Sequence, residues 1–138
     1  MRICIYGAGA IGGYMGACLA RAGYEVSLVA RGPHMQAIQA NGLTLKMAGE
    51  SLTQKITCTD DPAELGPQDY VIVTLKAHSV PAVVNQLPSL FHAETAVVMA
   101  VNGVPWWYFY DLDGPYRGRQ LESVDPGGRQ WTVIEPRR

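Results

Sequence analysis

Short apolar runs alternate along this chain with segments that are rich in small residues or carry apolar residues at helical spacing. The run Tyr70–Leu75 is apolar almost throughout, which is typical of a strand buried on both faces of a parallel sheet. The other runs are also short and contain many β-branched side chains. The predicted strands of this sheet are Ile3–Tyr6, Glu25–Ala30, Tyr70–Leu75 and Thr95–Val101.

Helices are predicted between these strands. The small-residue segment Gly9–Ala22 is closed by Gly23, a residue suited to the left-handed position after a helix. Proline begins the next helix, which ends at Asn41-Gly42. The remaining predicted helices are Pro33–Ala40, Val80–Leu90 and a short one from Asp61-Pro62 toward Leu65. This order of strands and helices predicts an α/β fold with a doubly wound parallel sheet.

Two further features lie outside that repeating pattern. Leu43–Met47 and Ser51–Ile56 flank the turn residues 48–50, which predicts a small hairpin. After Asn102 the periodicity weakens, and only Trp131–Ile134 suggests another strand. We therefore divide the chain into a dinucleotide-binding domain, residues 1–105, and an aromatic, loop-rich segment, residues 106–138. We expect that segment to lead toward a helical C-terminal domain that this chain lacks.

Composition excludes several classes of function. The 138 residues are 48% hydrophobic and 17% charged with a net charge of -1, which is typical of a globular protein and predicts neither a nucleic acid nor a membrane as partner. No apolar stretch reaches the ~20 residues of a membrane span. The three cysteines form no CxxC pair, so we predict no metal site and a cytoplasmic location.

A glycine-rich loop directly follows the first predicted strand. It reads Gly7-Ala8-Gly9-Ala10-Ile11-Gly12 and opens the first predicted helix. Gly7 permits a sharp turn, Gly9 lets the backbone approach a phosphate, and Gly12 lets the helix lie close to the strand. Because the free N–H groups of a first helical turn attract anions, this loop predicts a Rossmann-like site for the pyrophosphate of a dinucleotide.

Polar residues follow three more of the predicted strands, at the sheet edge where ligands bind in such folds. Arg31 stands where NAD-specific folds usually carry an acidic residue, and its guanidinium suits the 2′-phosphate of NADPH. Lys76 and Asn102 are predicted to contact cofactor or substrate. The alternatives are a surface arginine, a solvated lysine and a plain Asn-Gly turn.

The run Trp106–Tyr110 places five aromatic residues in sequence. Five consecutive side chains cannot all face one core. The run is therefore either the wall of a pocket or an interface with an absent domain or subunit, or else a locally packed hydrophobic loop.

Four of these motifs, taken in order, resemble the N-terminal domain of ketopantoate reductases. They are Gly7–Gly12, Ala30-Arg31, Thr74-Leu75-Lys76-Ala77 and Asn102-Gly103-Val104-Pro105. The resemblance implies an NADPH-dependent reduction of 2-dehydropantoate, or a related 2-keto acid, in pantothenate biosynthesis. It also implies that Arg31 holds the 2′-phosphate and that Lys76 and Asn102 line the cofactor cleft, with Asn102 nearest the nicotinamide. A homodimer is compatible with it.

The same resemblance implies that the catalytic lysine and a substrate-binding glutamate lie beyond Arg138, so we expect the chain alone to be inactive. Two other functions remain open. One is a nucleotide-sensing regulatory module without enzyme activity, against which Arg31 counts. The other is a different two-domain dehydrogenase acting on a hydroxy acid, which would share the glycine loop but not the later motifs.

Overall fold

A computed structural model describes residues 1–47 and 49–138, and its centre is a parallel sheet of five strands in the order β5-β2-β1-β6-β7. The doubly wound α/β fold is therefore confirmed. The strands are β1 (Arg2–Tyr6), β2 (Glu25–Val29), β3 (Leu43–Met47), β4 (Glu50–Gln54), β5 (Thr57–Thr59), β6 (Tyr70–Val73) and β7 (Ala96–Met99). Strands β3 and β4 pair antiparallel and form the predicted hairpin. Ala48 of its turn lies outside the described residues.

In the part of the chain that the structure describes, four α-helices accompany the strands. They are α1 (Ala10–Arg21), α2 (Gly32–Asn41), α3 (Val80–Val83) and α4 (Arg129–Ile134). Short 3-10 segments occupy Pro62–Leu65, Ala77–Ser79, Val84–Leu90 and Pro126–Gly128. Within the described ranges, no helix is long and apolar enough to cross a membrane.

The central strand β1 shows how the sheet is covered on both faces. Ile3 and Ile5 belong to one buried cluster, which α1 and α2 help to form. Cys4 and Tyr6, pointing the opposite way, belong to a second cluster with the Val80–Leu90 segment and α4. Since side chains alternate along a strand, every residue of β1 after Arg2 is buried. Burial also raises the pKa of the Cys4 thiol to about 12, so this cysteine is a core residue.

Three sequence-based expectations need correction. The helix predicted at Val80–Leu90 is one α-turn followed by 3-10 structure, because Pro88 lies inside it and supplies no N–H to the helical ladder. The strand predicted at Thr95–Val101 is shorter and only half-buried, because β7 is the edge strand and packs against one sheet neighbour.

The third correction concerns Trp131–Ile134, which is helical rather than extended. The carboxylate of Asp125 accepts hydrogen bonds from the N–H groups of Gln130 and Trp131, both at 2.9 Å, and so fixes the start of α4. A four-residue apolar run fits a strand or a buried helix equally well, and here this local cap decides between them.

Candidate functional site

The glycine loop joins β1 to α1 by a turn that other residues would strain. Gly7 has φ +112°, a conformation that glycine adopts without a steric penalty. A Cβ on Gly12 would lie 2.0 Å from the carbonyl oxygen of Gly7, so α1 approaches the strand as closely as its backbone allows. The Thr74 hydroxyl also donates to that oxygen at 2.5 Å, which ties the loop to the end of β6.

Gly9 differs from these two glycines because a Cβ there would meet no protein atom within 4 Å. Gly9 is the N-cap of α1, and its carbonyl accepts the hydrogen bond from Gly13 N–H at 2.7 Å. The N–H groups of Ala10, Ile11 and Gly12, in the first turn of α1, therefore come before the first hydrogen bond of the helix and have no acceptor within it. No acidic residue occupies that turn. The helix start combines open space with N–H groups suited to an anion.

A cleft of about 640 Å³ opens over this loop, within the roughly 300–1,000 Å³ typical of small-molecule sites. It lies where the carboxyl ends of β2, β1 and β6 meet, at the point where the order of the strands reverses. The residues that line it are Tyr6, Gly7, Ala8, Gly9, Val29, Ala30, Arg31, His34, Asp60, Leu75, His78, Ser79, Ala82, Val83 and Gln86.

Arg31 and His34 stand on the α2 side of the cleft. Arg31 is the exposed N-cap of α2, and it takes no part in the ion pairs found among the described residues. The His34 ring donates through Nε2 to the Ala8 carbonyl at 2.7 Å and so connects α2 to the glycine loop. Arg31 thus lines the same cleft as Gly9, the N-cap of α1.

Three polar groups of this cleft were missed or undervalued in the sequence. Asp60 follows β5, a strand too short and too polar to give a sequence signal. The Tyr6 hydroxyl donates to Oε1 of Gln86 at 2.6 Å, across 80 residues of sequence. Burial raises the pKa of Tyr6 to about 12, so this hydroxyl keeps its proton. No local pattern could have indicated that pair.

Lys76 and Asn102 are not among the residues that line this cleft. Lys76 is exposed and begins the 3-10 turn Ala77–Ser79, while Asn102 lines a separate small cavity beside Trp106. Of the loop residues, Ile11 is exposed and Gly12 is buried against the strand. The structure therefore brings Gly7, Ala8, Gly9 and Arg31 together. Ala10 lines a neighbouring depression that shares Gly9.

The cleft suits a dinucleotide phosphate on chemical grounds. The open space at Gly9 admits a phosphate group close to the backbone, and Arg31 supplies a cation at the same cleft. Within residues 1–47 and 49–138, no three His, Cys, Asp or Glu side chains lie close enough together to hold a metal ion.

Comparison with known proteins agrees with this geometry. The sequence model of the family described as "Ketopantoate reductase PanE/ApbA" matches residues 3–105. The chain belongs to this family. A ketopantoate reductase relative, a 2-dehydropantoate 2-reductase of Mesorhizobium japonicum, is 50% identical over 139 residues, which cover 100% of this chain and 43% of that protein.

Solved structures of relatives extend the likeness to the fold. A crystal structure of a putative ketopantoate reductase from Ralstonia solanacearum is 48% identical, with a TM-score of 0.91 over 99% of this chain and 42% of its own. D-mandelate dehydrogenase in a ternary structure with NADH and anilino(oxo)acetate is 29% identical, with a TM-score of 0.70 over 76% of this chain and 35% of its own. The chain thus spans about two-fifths of the length of its ketopantoate reductase relatives.

Proposed function

We propose that this chain is the cofactor-binding part of an NADPH-dependent reductase that converts 2-dehydropantoate, or a related 2-keto acid, to the 2-hydroxy acid. The observation that carries the proposal is one continuous cleft lined by both Gly9, the N-cap of α1, and Arg31. A pyrophosphate at the helix and a 2′-phosphate at Arg31 are the two anionic groups of NADPH. Family membership supplies the substrate class.

In this proposal the chain binds and orients the cofactor. The first-turn N–H groups of α1 and the open face of Gly9 hold the pyrophosphate, and Arg31 holds the 2′-phosphate. The nicotinamide, when bound, supplies the hydride for the ketone carbon. Lys76 and Asn102 remain proposed contacts toward that end of the cofactor. The acid that protonates the developing alkoxide would come from outside this chain.

A second candidate is an NADH-dependent dehydrogenase of a 2-hydroxy acid. Asp60 favours it, because a carboxylate in the cleft can accept hydrogen bonds from ribose hydroxyls. The likeness to D-mandelate dehydrogenase, whose structure holds NADH, points the same way. The two candidates differ in which charged residue binds the adenosine ribose: Arg31 would bind its 2′-phosphate, and Asp60 would bind its free hydroxyls.

Titration of the chain with NADPH and NADH, followed by cofactor fluorescence, separates them. We expect tighter binding of NADPH, and Arg31→Ala should weaken it by about 10- to 100-fold, since a charge-assisted hydrogen bond is worth roughly 1.5–3 kcal/mol. NADH affinity should stay unchanged. Asp60→Asn is the matched variant, and it should weaken NADH only if the second candidate holds. Equal affinities in the unmodified chain would remove the NADPH assignment.

The catalytic half of the proposal needs a separate assay. NADPH oxidation with 2-dehydropantoate should be negligible for the 138-residue chain and rapid for a longer polypeptide that continues it to the length of its relatives. A positioned general acid contributes roughly 10²–10⁴-fold, and substrate positioning adds to that. Equal turnover by the two polypeptides would place the acid within this chain instead.

A further inference from the structure

The cleft extends past the glycine loop to a polar pair that the proposed function does not use. Tyr6, at the end of β1, is 4% exposed, and its hydroxyl donates to Gln86 Oε1 at 2.6 Å. Gln86 is exposed on the 3-10 segment that follows α3, and both residues line the cleft. A buried donor therefore holds one end of an exposed carboxamide at the cleft surface.

This contact gives the carboxamide a direction. Because the Tyr6 hydroxyl keeps its proton, it serves as the donor, and the Gln86 oxygen is the matching acceptor. If the amide turned over, its N–H group would face the Tyr6 hydroxyl. The hydroxyl proton would then have no acceptor, which is costly for a buried donor. The amide nitrogen of Gln86, which has no partner among the hydrogen bonds of the described residues, keeps both N–H groups for a ligand.

The position of Arg31 indicates which part of NADPH reaches this pair. The 2′-phosphate and the adenine are attached to the same ribose, so a phosphate at Arg31 keeps the base in the same cleft. Apolar side chains line much of that cleft, as a flat heterocycle requires, and they include Val29, Leu75 and Val83. Gln86 is the one carboxamide among the residues that line the cleft, and a carboxamide presents a donor and an acceptor side by side.

We propose that Gln86 recognises the edge of the adenine base and that Tyr6 is the positioning residue that fixes the direction of its amide. Adenine offers an amino donor beside a ring-nitrogen acceptor, which matches a carboxamide in one orientation. The inference rests on the proposed NADPH binding. It adds a base-specific contact to the phosphate contacts of Arg31 and α1.

The hypoxanthine analogue of NADPH tests this recognition directly. It carries a carbonyl oxygen in place of the amino group, so the Gln86 oxygen would face another acceptor. We expect the unmodified chain to bind NADPH about 10-fold or more tighter than the analogue, as for other paired amide–adenine contacts. If NADPH and the analogue bind equally tightly, the proposed recognition of adenine is overturned but the proposed function is not. If neither dinucleotide binds, the proposed function is overturned as well.

Variants assign the selectivity to the two residues. Gln86→Leu should reduce the affinity ratio to about 1. Tyr6→Phe keeps the ring in the core but frees the amide to turn, so the ratio should also fall while both dinucleotides still bind. Asn85→Leu removes a neighbouring exposed amide outside the cleft lining and should leave the ratio unchanged. Because a ratio of two affinities does not depend on the folded fraction, an unchanged ratio in Gln86→Leu would overturn the proposal.

Discussion

The carboxyl edge of the sheet has two sides that differ in the volume of their cavities and in the residues that line them. Over β2, β1 and β6 lies an open cleft of about 640 Å³, in which apolar side chains such as Val29 and Leu75 stand beside charged ones such as Arg31 and Asp60. Beside β7 lies a cavity of about 40 Å³ with mostly apolar walls, which include Trp106 and Trp107. One side is shaped to admit a ligand, and the other is nearly filled by the protein itself.

The origin of this difference is the chain that follows each strand. Glycines after β1 keep side chains out of the cleft, and the open space at Gly9 results from that. After β7 the chain enters the aromatic run, in which Trp106 is 4% exposed and forms T-shaped pairs with Trp107 and Trp131, with ring centroids 5.0 and 6.1 Å apart. The open cleft and the packed aromatic side chains thus lie on separate sides of one edge.

The largest expected effect belongs to the packed side. Trp106→Ala should lower the free energy of unfolding by about 3–5 kcal/mol, because it removes a large buried ring from the second core cluster. The affinity for NADPH should change little. Chemical denaturation and cofactor titration measure the two quantities. Tyr108→Ala is the control, since that residue is 53% exposed and the loss of its side chain should cost within about 0.5 kcal/mol. Loss of binding in a folded Trp106→Ala protein would show that the two sides are coupled.

The second effect belongs to the open side. Gly9→Val should leave the melting temperature nearly unchanged, because its Cβ meets no protein atom within 4 Å. It should weaken NADPH about 100-fold or more, since the new side chain occupies the space of the phosphates and displaces more than one charged hydrogen bond. Gly12→Val is the contrasting variant and should destabilise the fold itself, because its Cβ would lie 2.0 Å from Gly7 O. NADPH binding retained by a folded Gly9→Val protein would contradict the site.

Local patterns were sufficient for most of the open side. Periodicity and turn chemistry are encoded in adjacent residues, so β1, β2, β6, β7, α1, α2 and the hairpin were predicted within a few residues, whereas the short strand β5 was missed. The roles of Gly7 and Gly12 in the turn also follow from local geometry. That Arg31 borders the same cleft as the glycine loop follows from the general rule that parallel strands end at one edge.

Features that depend on tertiary contacts could not be predicted. The Tyr6–Gln86 pair joins residues 80 positions apart, and Asp60 reaches the cleft through β5, which has only three residues. Strand and helix propensities also failed at Trp131–Ile134, where the cap from Asp125 decides the conformation. Asn102 lines a small cavity together with Trp106 and Trp107, a contact that the composition of the aromatic run does not reveal.

A smaller effect is expected at the boundary between loop and helix α2. His34→Leu removes the 2.7 Å hydrogen bond to the Ala8 carbonyl, so the glycine loop loses its tie to α2. We expect NADPH to weaken about 5-fold, which corresponds to roughly 1 kcal/mol for one neutral hydrogen bond. His34→Gln can still donate from its amide and should recover most of the affinity. If both variants bind NADPH as tightly as the unmodified chain does, the His34–Ala8 hydrogen bond has no part in holding the loop.

The smallest effect concerns neither side, because Asp69 lies just before β6 at the opposite, amino edge of the sheet. Its carboxylate accepts the Arg2 N–H at 2.7 Å, and this hydrogen bond is the main cause that lowers the Asp69 pKa below 3.8, with His92 adding to it. The charged form therefore stabilises the fold above pH 3.8, and that contribution disappears as the pH falls through the lowered pKa.

Asp69→Asn should melt at a lower temperature than the unmodified chain near neutral pH, and the difference should shrink in acid below pH 3.8. Melting curves recorded across this range measure it, with NADPH affinity at neutral pH as the control that should not move. A difference in melting temperature that stays constant into strong acid would mean that the Asp69 charge does not stabilise this edge.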